Sequence, residues 1–324
     1  LTAMIISAIV IVAYTTLGGF LAASTSDFIQ SIIMSIALVI VLSYGIISVG
    51  GFDGVVAHVG DLKGFLSITS THDGATNTAT PYSVLSIAST LAWGLGYFGM
   101  PHILLRFMAI EDTKKLKLSR RVASVWVVIS MSVAVSIGII GYAMSAEGVI
   151  PNLKDSETII VQIAHVLSTH GIIFAIIAGV ILAGILASTM STSDSQLLAA
   201  SSSVSENLLE GVLNLNLSAG VKIVVARGSV IIISIIAMFL ASNPNSSVFQ
   251  IVSFAWAGFG ATFGPVMLFA LFWKRSNKYG AISGMVAGGI MVFVWKFLVR
   301  PMGGVLGIYE LLPAFIVASI FIVI

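Results

Sequence analysis

Long apolar runs recur along the whole chain and alternate with short segments that are rich in polar residues or glycine. A helix of about 20 apolar residues crosses the roughly 30 Å hydrocarbon core of a bilayer. The pattern predicts spans near residues 2–17, 27–48, 82–109, 122–145, 171–204, 222–242, 248–272, 279–299 and 308–324. We therefore expect an all-α, multi-pass membrane protein.

The composition supports this fold class. Of the 324 residues, 58% are hydrophobic and only 9% are charged, whereas soluble domains carry about 25% charged residues. A soluble globular domain is therefore excluded. The chain has no cysteine, which excludes disulfides and thiolate metal sites. We expect a lipid bilayer around the chain and no nucleic-acid partner.

Basic residues cluster in two loops and predict the orientation of the chain. They lie at positions 114, 115, 117, 120 and 121, and again at 274, 275 and 278. Loops with excess Lys and Arg stay on the cytoplasmic side. Alternating spans then place residues 18–26 and 206–220 inside as well, and residues 50–80, 147–170, 242–247 and 300–307 outside.

The two ends of the chain lie inside apolar runs, at residues 1–12 and 314–324. The sequence has neither an initiating Met nor a signal peptide. We expect residues 1–324 to form a single transmembrane domain that is truncated at its N-terminus and also at its C-terminus.

Two spans contain helix-breaking residues. Residues 93–102 carry three glycines and Pro101 inside an otherwise helical run, so the third span should unwind or kink there. Irregular backbone at membrane depth occurs only where protein or a water-filled cavity covers it, and interrupted helices are typical of transporter sites. Residues 255–265 predict a similar break in the seventh span, with a tightly packed glycine-rich helix as the alternative.

Hydroxyl side chains crowd together at the end of the fifth span. Ser188, Ser191 and Thr192 are related as i, i+3 and i+4, so they share one helix face. Their hydroxyls and a nearby carbonyl form an all-oxygen site without carboxylates, which suits a monovalent cation better than a divalent one. The alternative is that small residues only let two helices approach closely.

Two aspartates and a histidine are predicted inside or beside the membrane. Asp27 starts the second span, where it either caps the helix or assists a cation at the hydroxyl site. Asp194 should face an inner water-filled vestibule, because an ionised group there needs hydration or a partner. His102 has no second metal ligand at a suitable spacing. The sequence contains no motif that supports an enzyme.

Several motifs together resemble the sodium:proline symporters of the sodium:solute symporter family, over essentially the whole chain. They are residues 18–22 (GGFLA), 93–99 (WGLGYFG), 101–104 (PHIL), 190–192 (MST), 195–198 (SQLL), 255–261 (AWAGFGA) and 263–265 (FGP). The resemblance implies a partial inverted-repeat fold of five plus five helices, as in leucine-type sodium-coupled transporters. The spans here would be the fourth to tenth core helices and two that follow, in a bacterial plasma membrane.

The resemblance also implies functional residues. The family's sodium site lies between its first and eighth core helices, and the eighth-helix ligands fall on the Ser188 carbonyl and the hydroxyls of Ser191 and Thr192. Asp27 matches an aspartate implicated in sodium coupling. The proline-site side of the sixth core helix falls on the third span here. The matching residues are Trp93, Tyr97, Pro101 and His102.

The implied function is symport of sodium and L-proline by alternating access, with Na⁺ as the co-transported ion and no organic cofactor. Two positions depart from the family pattern: Met100 replaces a glutamine, and Ser188 replaces an alanine. Met100 removes a hydrogen-bonding amide beside the solute. Another small solute (an amino acid, a vitamin or an organic acid) therefore stays open, as does a transporter-like membrane sensor domain.

Overall fold

The computed structural model describes residues 2–241 and 248–324 and the side chains from residue 5 onward within those ranges. The long helices are α1 (Thr2–Ser48), α6 (Leu116–Ala146), α8 (Ile172–Ser202), α9 (Ala219–Leu240), α10 (Val248–Phe272) and α11 (Lys278–Val294). The shorter helices are α2 (Gly51–Val59), α3 (Val84–Leu91), α4 (Trp93–Gly96), α5 (Pro101–Met108), α7 (Ile159–Ser168) and α12 (Leu311–Val323). The two strands are β1 (Ser70–Asp73) and β2 (Thr78–Pro81).

Short helical turns of other types join these elements. Turns of 3-10 helix occupy Tyr97–Gly99, Thr113–Lys115, Ser156–Thr158, Arg300–Met302 and Gly304–Gly307, and π-helical segments occupy Ser203–Val212 and Trp295–Val299. Six helical segments within the described ranges are long and apolar enough to cross a membrane. The chain is therefore a mostly helical, multi-pass membrane protein, as the apolar runs predict.

The chain divides into two compact units. One contains residues up to Thr80 together with Glu111–Phe239, and the other contains Pro81–Ile110 together with Leu240–Ile324. In the first unit, α1 packs against α8 and α6, and the buried core includes Val41, Met144, Ile163 and Ile181. In the second unit, α10, α11 and α12 pack together around small residues such as Ala257, Ala261 and Ala314, which let the helix axes approach closely.

The first two predicted spans are two helices that meet at a kink at Gly19, and α1 contains both of them. Inside α1 only Gly19 leaves the helical conformation, with φ 61° and ψ −157°, a backbone geometry that glycine adopts without steric cost. Residues 20–26 begin the second of these helices, and the Thr25 hydroxyl donates to the Leu21 carbonyl at 2.9 Å. The predicted break between the two spans is therefore present at Gly19, but it is a kink at one residue, and the predicted inner loop over residues 18–26 is wrong in its length.

The predicted outer segments are partly ordered. Residues 50–80 contain α2 and most of a β-hairpin, and residues 147–170 contain α7, so the expected all-α protein carries a small two-stranded sheet within the described residues.

At the hairpin turn the Asp73 carboxylate accepts hydrogen bonds from the Ala75 amide at 2.9 Å and the Thr76 hydroxyl at 2.8 Å. These bonds, the Thr76 one most strongly, lower the pKa of Asp73. The predicted outer segment 242–247 and residue 242 of the sixth predicted span lie outside the described residues.

The seventh predicted span is continuous, so its predicted break is wrong. α10 runs from Val248 to Phe272 with Pro265 inside it. Its glycines serve packing instead. A Cβ at Gly260 would lie 2.7 Å from the Gly96 Cα, and one at Gly264 would lie 2.8 Å from the Phe315 ring.

Candidate functional site

The hydroxyl cluster on α8 brings three oxygens together in the first unit. The Ser191 hydroxyl donates to the Ser188 carbonyl at 3.1 Å, and the Thr192 hydroxyl donates to the same carbonyl at 3.3 Å. Back-bonding of Ser and Thr to carbonyls three or four residues earlier fixes the hydroxyls beside the helix backbone. A cation approaching this face would meet one carbonyl and two hydroxyl oxygens.

The hydroxyl cluster lies beside the residues by which α8 packs on α1, and Ser188 lines a cavity together with Ala37 and Val41 of α1. Gly184 lies against α1, where a Cβ would sit 2.6 Å from the Ala37 Cβ, and Ala187 is also buried. Ser188 and Thr192 are exposed, and Ser191 is half-buried. Within this unit Gly184 therefore makes the close approach to α1, and Ser188 and Thr192 keep exposed surface next to it.

Asp27 lies in the interior of α1, eight residues after the non-helical Gly19. It is half-buried. An N-cap has non-helical backbone angles and precedes the first helical turn, so the capping interpretation of Asp27 is wrong. Its charge lies within electrostatic reach of Asp194 and Tyr14.

Asp194 is completely buried, with 0% exposure, and does not face an aqueous vestibule. The Tyr14 hydroxyl donates to its carboxylate at 2.9 Å, and the Ser195 hydroxyl donates to its other oxygen at 3.2 Å. A buried carboxylate needs such donors, because an unpaired charge in an apolar interior is strongly destabilising. The sequence pattern did not indicate Tyr14, since an isolated tyrosine in an apolar run carries no local signal of a partner 180 positions away.

A cavity of about 260 Å³ adjoins the hydroxyl cluster between α1, α7 and α8. Ser188 and Thr189 contribute its polar wall, while Met34, Val41 and Ile181 are among the apolar residues that line the rest. Its lining is mostly hydrocarbon, which matches the polar groups of a zwitterion poorly.

The third predicted span is discontinuous in the second unit, as predicted. It consists of α3, the single turn α4, a 3-10 turn and α5, with Met100 in an extended conformation at φ −80° and ψ 112°. Pro101 occupies the first turn of α5, where its missing amide hydrogen is not needed. Gly99 faces the α10 backbone, where a Cβ would lie 2.3 Å from the Phe259 carbonyl oxygen.

The aromatic residues at this break form a stack. The Trp93 ring is stacked on Phe249, Trp256 and Tyr309, with ring centroids 5.7, 5.4 and 5.9 Å apart. The Trp256 indole donates to the Trp93 carbonyl at 3.0 Å, and Tyr97 meets the Trp256 ring edge-on at 4.8 Å.

The predicted solute residues around this break differ in exposure. Tyr97 remains 49% exposed, and Pro101 and His102 are half-buried. Trp93 is also half-buried, although three rings stack on it, so all four residues keep some exposed surface and Tyr97 keeps the most. That Trp93 and Tyr97 face a solute cavity stays a prediction.

The chain matches the sequence profile of the sodium:solute symporter family over residues 1–288. It therefore belongs to that family.

Three curated proteins with sequences similar to this chain are named as proline transporters or symporters. The chain is 41% identical over 306 residues to the high-affinity proline transporter PutP of Bacillus subtilis, covering 94% of this chain and 61% of that protein. It is 39% identical over 318 residues to the osmoregulated proline transporter OpuE of the same organism, covering 96% and 60%. A sodium/proline symporter of Staphylococcus aureus is 36% identical over 323 residues, covering 98% and 60%. The chain thus spans about three fifths of the length of these curated relatives.

A solved structure confirms the predicted fold. The substrate-bound, outward-open Na⁺-coupled sialic acid symporter superposes with a TM-score of 0.76 at 18% sequence identity, covering 99% of this chain and 64% of that one. The chain therefore has part of the inverted-repeat symporter fold, and with its bacterial relatives it is a multi-pass protein of the cell membrane.

Proposed function

We propose that this chain is the transporter domain of a sodium-coupled symporter that imports L-proline by alternating access. The observation that supports the proposal most is the three-oxygen cluster on α8 in a chain whose relatives include a sodium/proline symporter. Sodium would bind the Ser188 carbonyl and the hydroxyls of Ser191 and Thr192, with Asp27 assisting the cation. Its remaining ligands would come from the family's first core helix. Because the chain spans only about three fifths of the length of its relatives, we propose that the full protein has further spans before residue 1 and also after residue 324.

Proline would be recognised at the break in the third span. Met100 in extended conformation interrupts the helix there, and interrupted transporter helices offer free backbone groups to a charged solute. Tyr97, Pro101 and His102 supply partly exposed side chains beside the break, and the Trp93 stack holds its outer half.

Coupling to sodium supplies the driving force. One charge crossing a potential of 100 mV is worth about 2.3 kcal/mol. That energy supports roughly 50-fold accumulation of the solute before any sodium gradient is counted. Another small solute of the family is the second candidate, favoured by the apolar Met100 at the position where the resemblance led us to expect glutamine.

The test is uptake by the full-length protein in proteoliposomes. Labelled proline should enter when sodium is present outside and should not enter when choline replaces it. A panel of unlabelled amino acids, vitamins and organic acids should compete less well than proline. Uptake that is independent of sodium would contradict the proposal. If another solute competes more strongly than proline, that solute becomes the proposed substrate. A sensor domain would bind the solute without moving it.

A further inference from the structure

Tyr309, which belongs to none of the motifs discussed above, contacts three separate elements of the second unit. It lies just before α12. Its backbone amide donates to the Ser89 hydroxyl on α3 at 2.8 Å, and its own hydroxyl donates to the Ser253 carbonyl on α10 at 2.6 Å. Its ring stacks on Trp93 with an interplanar angle of 20°. Tyr309 therefore connects the outer half of the broken span with α10.

The neighbouring residue fixes Tyr309 in this position. Glu310 has 0% exposure, and its carboxylate contacts the Arg300 guanidinium at 2.7 Å and the Lys296 ammonium at 3.8 Å. The Lys296 ammonium also lies 3.9 Å from the centre of the Phe254 ring. Leaving the buried Glu310 carboxylate without its cationic partners would be strongly destabilising, so these contacts hold the backbone at residues 309 and 310 in place.

Trp93 is consequently held from two sides. Trp256 binds the Trp93 carbonyl and stacks on its ring, while Tyr309 stacks on the same ring and binds Ser89, one helical turn earlier. Ser89 is only 6% exposed, so water competes little for its hydroxyl. The position of the Trp93 ring and the direction in which α3 enters the break thus depend on a residue outside the broken span.

We propose that Tyr309 is a positioning residue for solute recognition, which sets the affinity for the solute by fixing Trp93 and α3. This inference rests on the proposed function only in that the broken span binds the transported solute. Tyr309 acts through Trp93, so its removal should weaken solute binding and leave the turnover of the loaded carrier nearly unchanged.

The experiment compares Tyr309→Phe, Tyr309→Leu and Ser89→Ala in the full-length protein, measuring the KM for proline and the maximal rate at saturating sodium. Tyr309→Phe keeps the ring and loses one hydrogen bond, so KM should rise about two- to tenfold. Tyr309→Leu also loses the aromatic stacking, which alone is worth a similar factor, so KM should rise more than tenfold. Ser89→Ala should resemble Tyr309→Phe.

The matched control is Tyr279, a tyrosine of the same unit that is 82% exposed. Tyr279→Leu should leave the KM for proline unchanged. A double-mutant cycle tests the route of the effect: in a Trp93→Leu background, Tyr309→Leu should raise KM by much less than it does alone.

Unchanged KM in Tyr309→Leu, or an equal loss of maximal rate in all variants, would overturn the inference. Full additivity with Trp93→Leu would also overturn it, because Tyr309 would then act by another route. If Tyr309→Leu does not fold, the milder Tyr309→Phe and Ser89→Ala decide the outcome. If the unmodified protein transports no proline, the proposed function fails, and the same variants are measured with the competing solute that is transported.

Discussion

Two substitutions of Thr192, one without and one with a hydroxyl group, test whether the hydroxyl cluster binds sodium. Thr192→Val keeps the branched shape and removes the hydroxyl, whereas Thr192→Ser keeps the hydroxyl. Thr192 is exposed within the described unit, and its hydroxyl bond to the Ser188 carbonyl is long, at 3.3 Å. Substitutions at exposed positions usually change the free energy of unfolding by about 0.5 kcal/mol or less. The fold should therefore survive both changes.

The expected effect on sodium binding is much larger. A hydrogen-bond or ligand contact to a charged group is worth about 1.5–3 kcal/mol, which corresponds to roughly a tenfold to hundredfold change in binding. The sodium concentration for half-maximal proline uptake should rise by that factor in Thr192→Val and by a few-fold at most in Thr192→Ser. Weaker sodium binding also lowers the affinity for proline by linkage, and saturating sodium should largely restore it.

Thr189 provides a matched control on the same helix. It is exposed, and its hydroxyl donates to the Ile185 carbonyl at 3.2 Å, nearly the geometry of Thr192. Thr189→Val therefore removes an equivalent hydroxyl that is not directed at the Ser188 carbonyl. Its sodium dependence should match that of the unmodified protein. Equal sodium dependence in Thr192→Val would refute the ion-binding interpretation and leave helix packing as the role of the cluster.

Three further predictions concern the other polar and aromatic residues. Because Asp27 does not cap a helix, Asp27→Asn should raise the sodium concentration for half-maximal uptake rather than leave it unchanged; near-normal sodium dependence would argue against cation assistance. Trp93→Ala and Tyr97→Ala should each raise the KM for proline about tenfold or more at saturating sodium, and a larger shift for sodium than for proline would contradict the assignment. Tyr14→Phe removes a donor from the buried Asp194 carboxylate and should lower the free energy of unfolding by about 1–3 kcal/mol, measured by thermal denaturation in detergent; an unchanged melting temperature would mean that another group takes over the hydrogen bond.

Local spacing in the sequence predicts those parts of the site that depend on one helix or one break. Ser188, Ser191 and Thr192 share a face because helix geometry fixes positions i, i+3 and i+4. The break before Pro101 follows from the loss of an amide hydrogen and the freedom of the neighbouring glycines. These features need no knowledge of the rest of the fold.

Contacts between distant residues could not be predicted in this way. The bond between Tyr14 and Asp194 and the one between Tyr309 and Ser89 join residues 180 and 220 positions apart. The structural role of a glycine could not be predicted from the sequence alone either. In α1 only Gly19 breaks the helix, whereas Gly260 and Gly264 keep α10 helical and remove side chains where other groups pack closely. Which role a glycine takes depends on the neighbour that it meets.

The most direct test of sodium coupling measures whether a proline gradient alone drives sodium into vesicles. Proteoliposomes containing the full-length protein receive equal sodium concentrations on both sides, no membrane potential and an inward gradient of proline. Because coupling is reciprocal, radioactive sodium should enter with the proline, and Thr192→Val should reduce this sodium entry more than Thr189→Val does. Proline entry without any accompanying sodium would contradict the account.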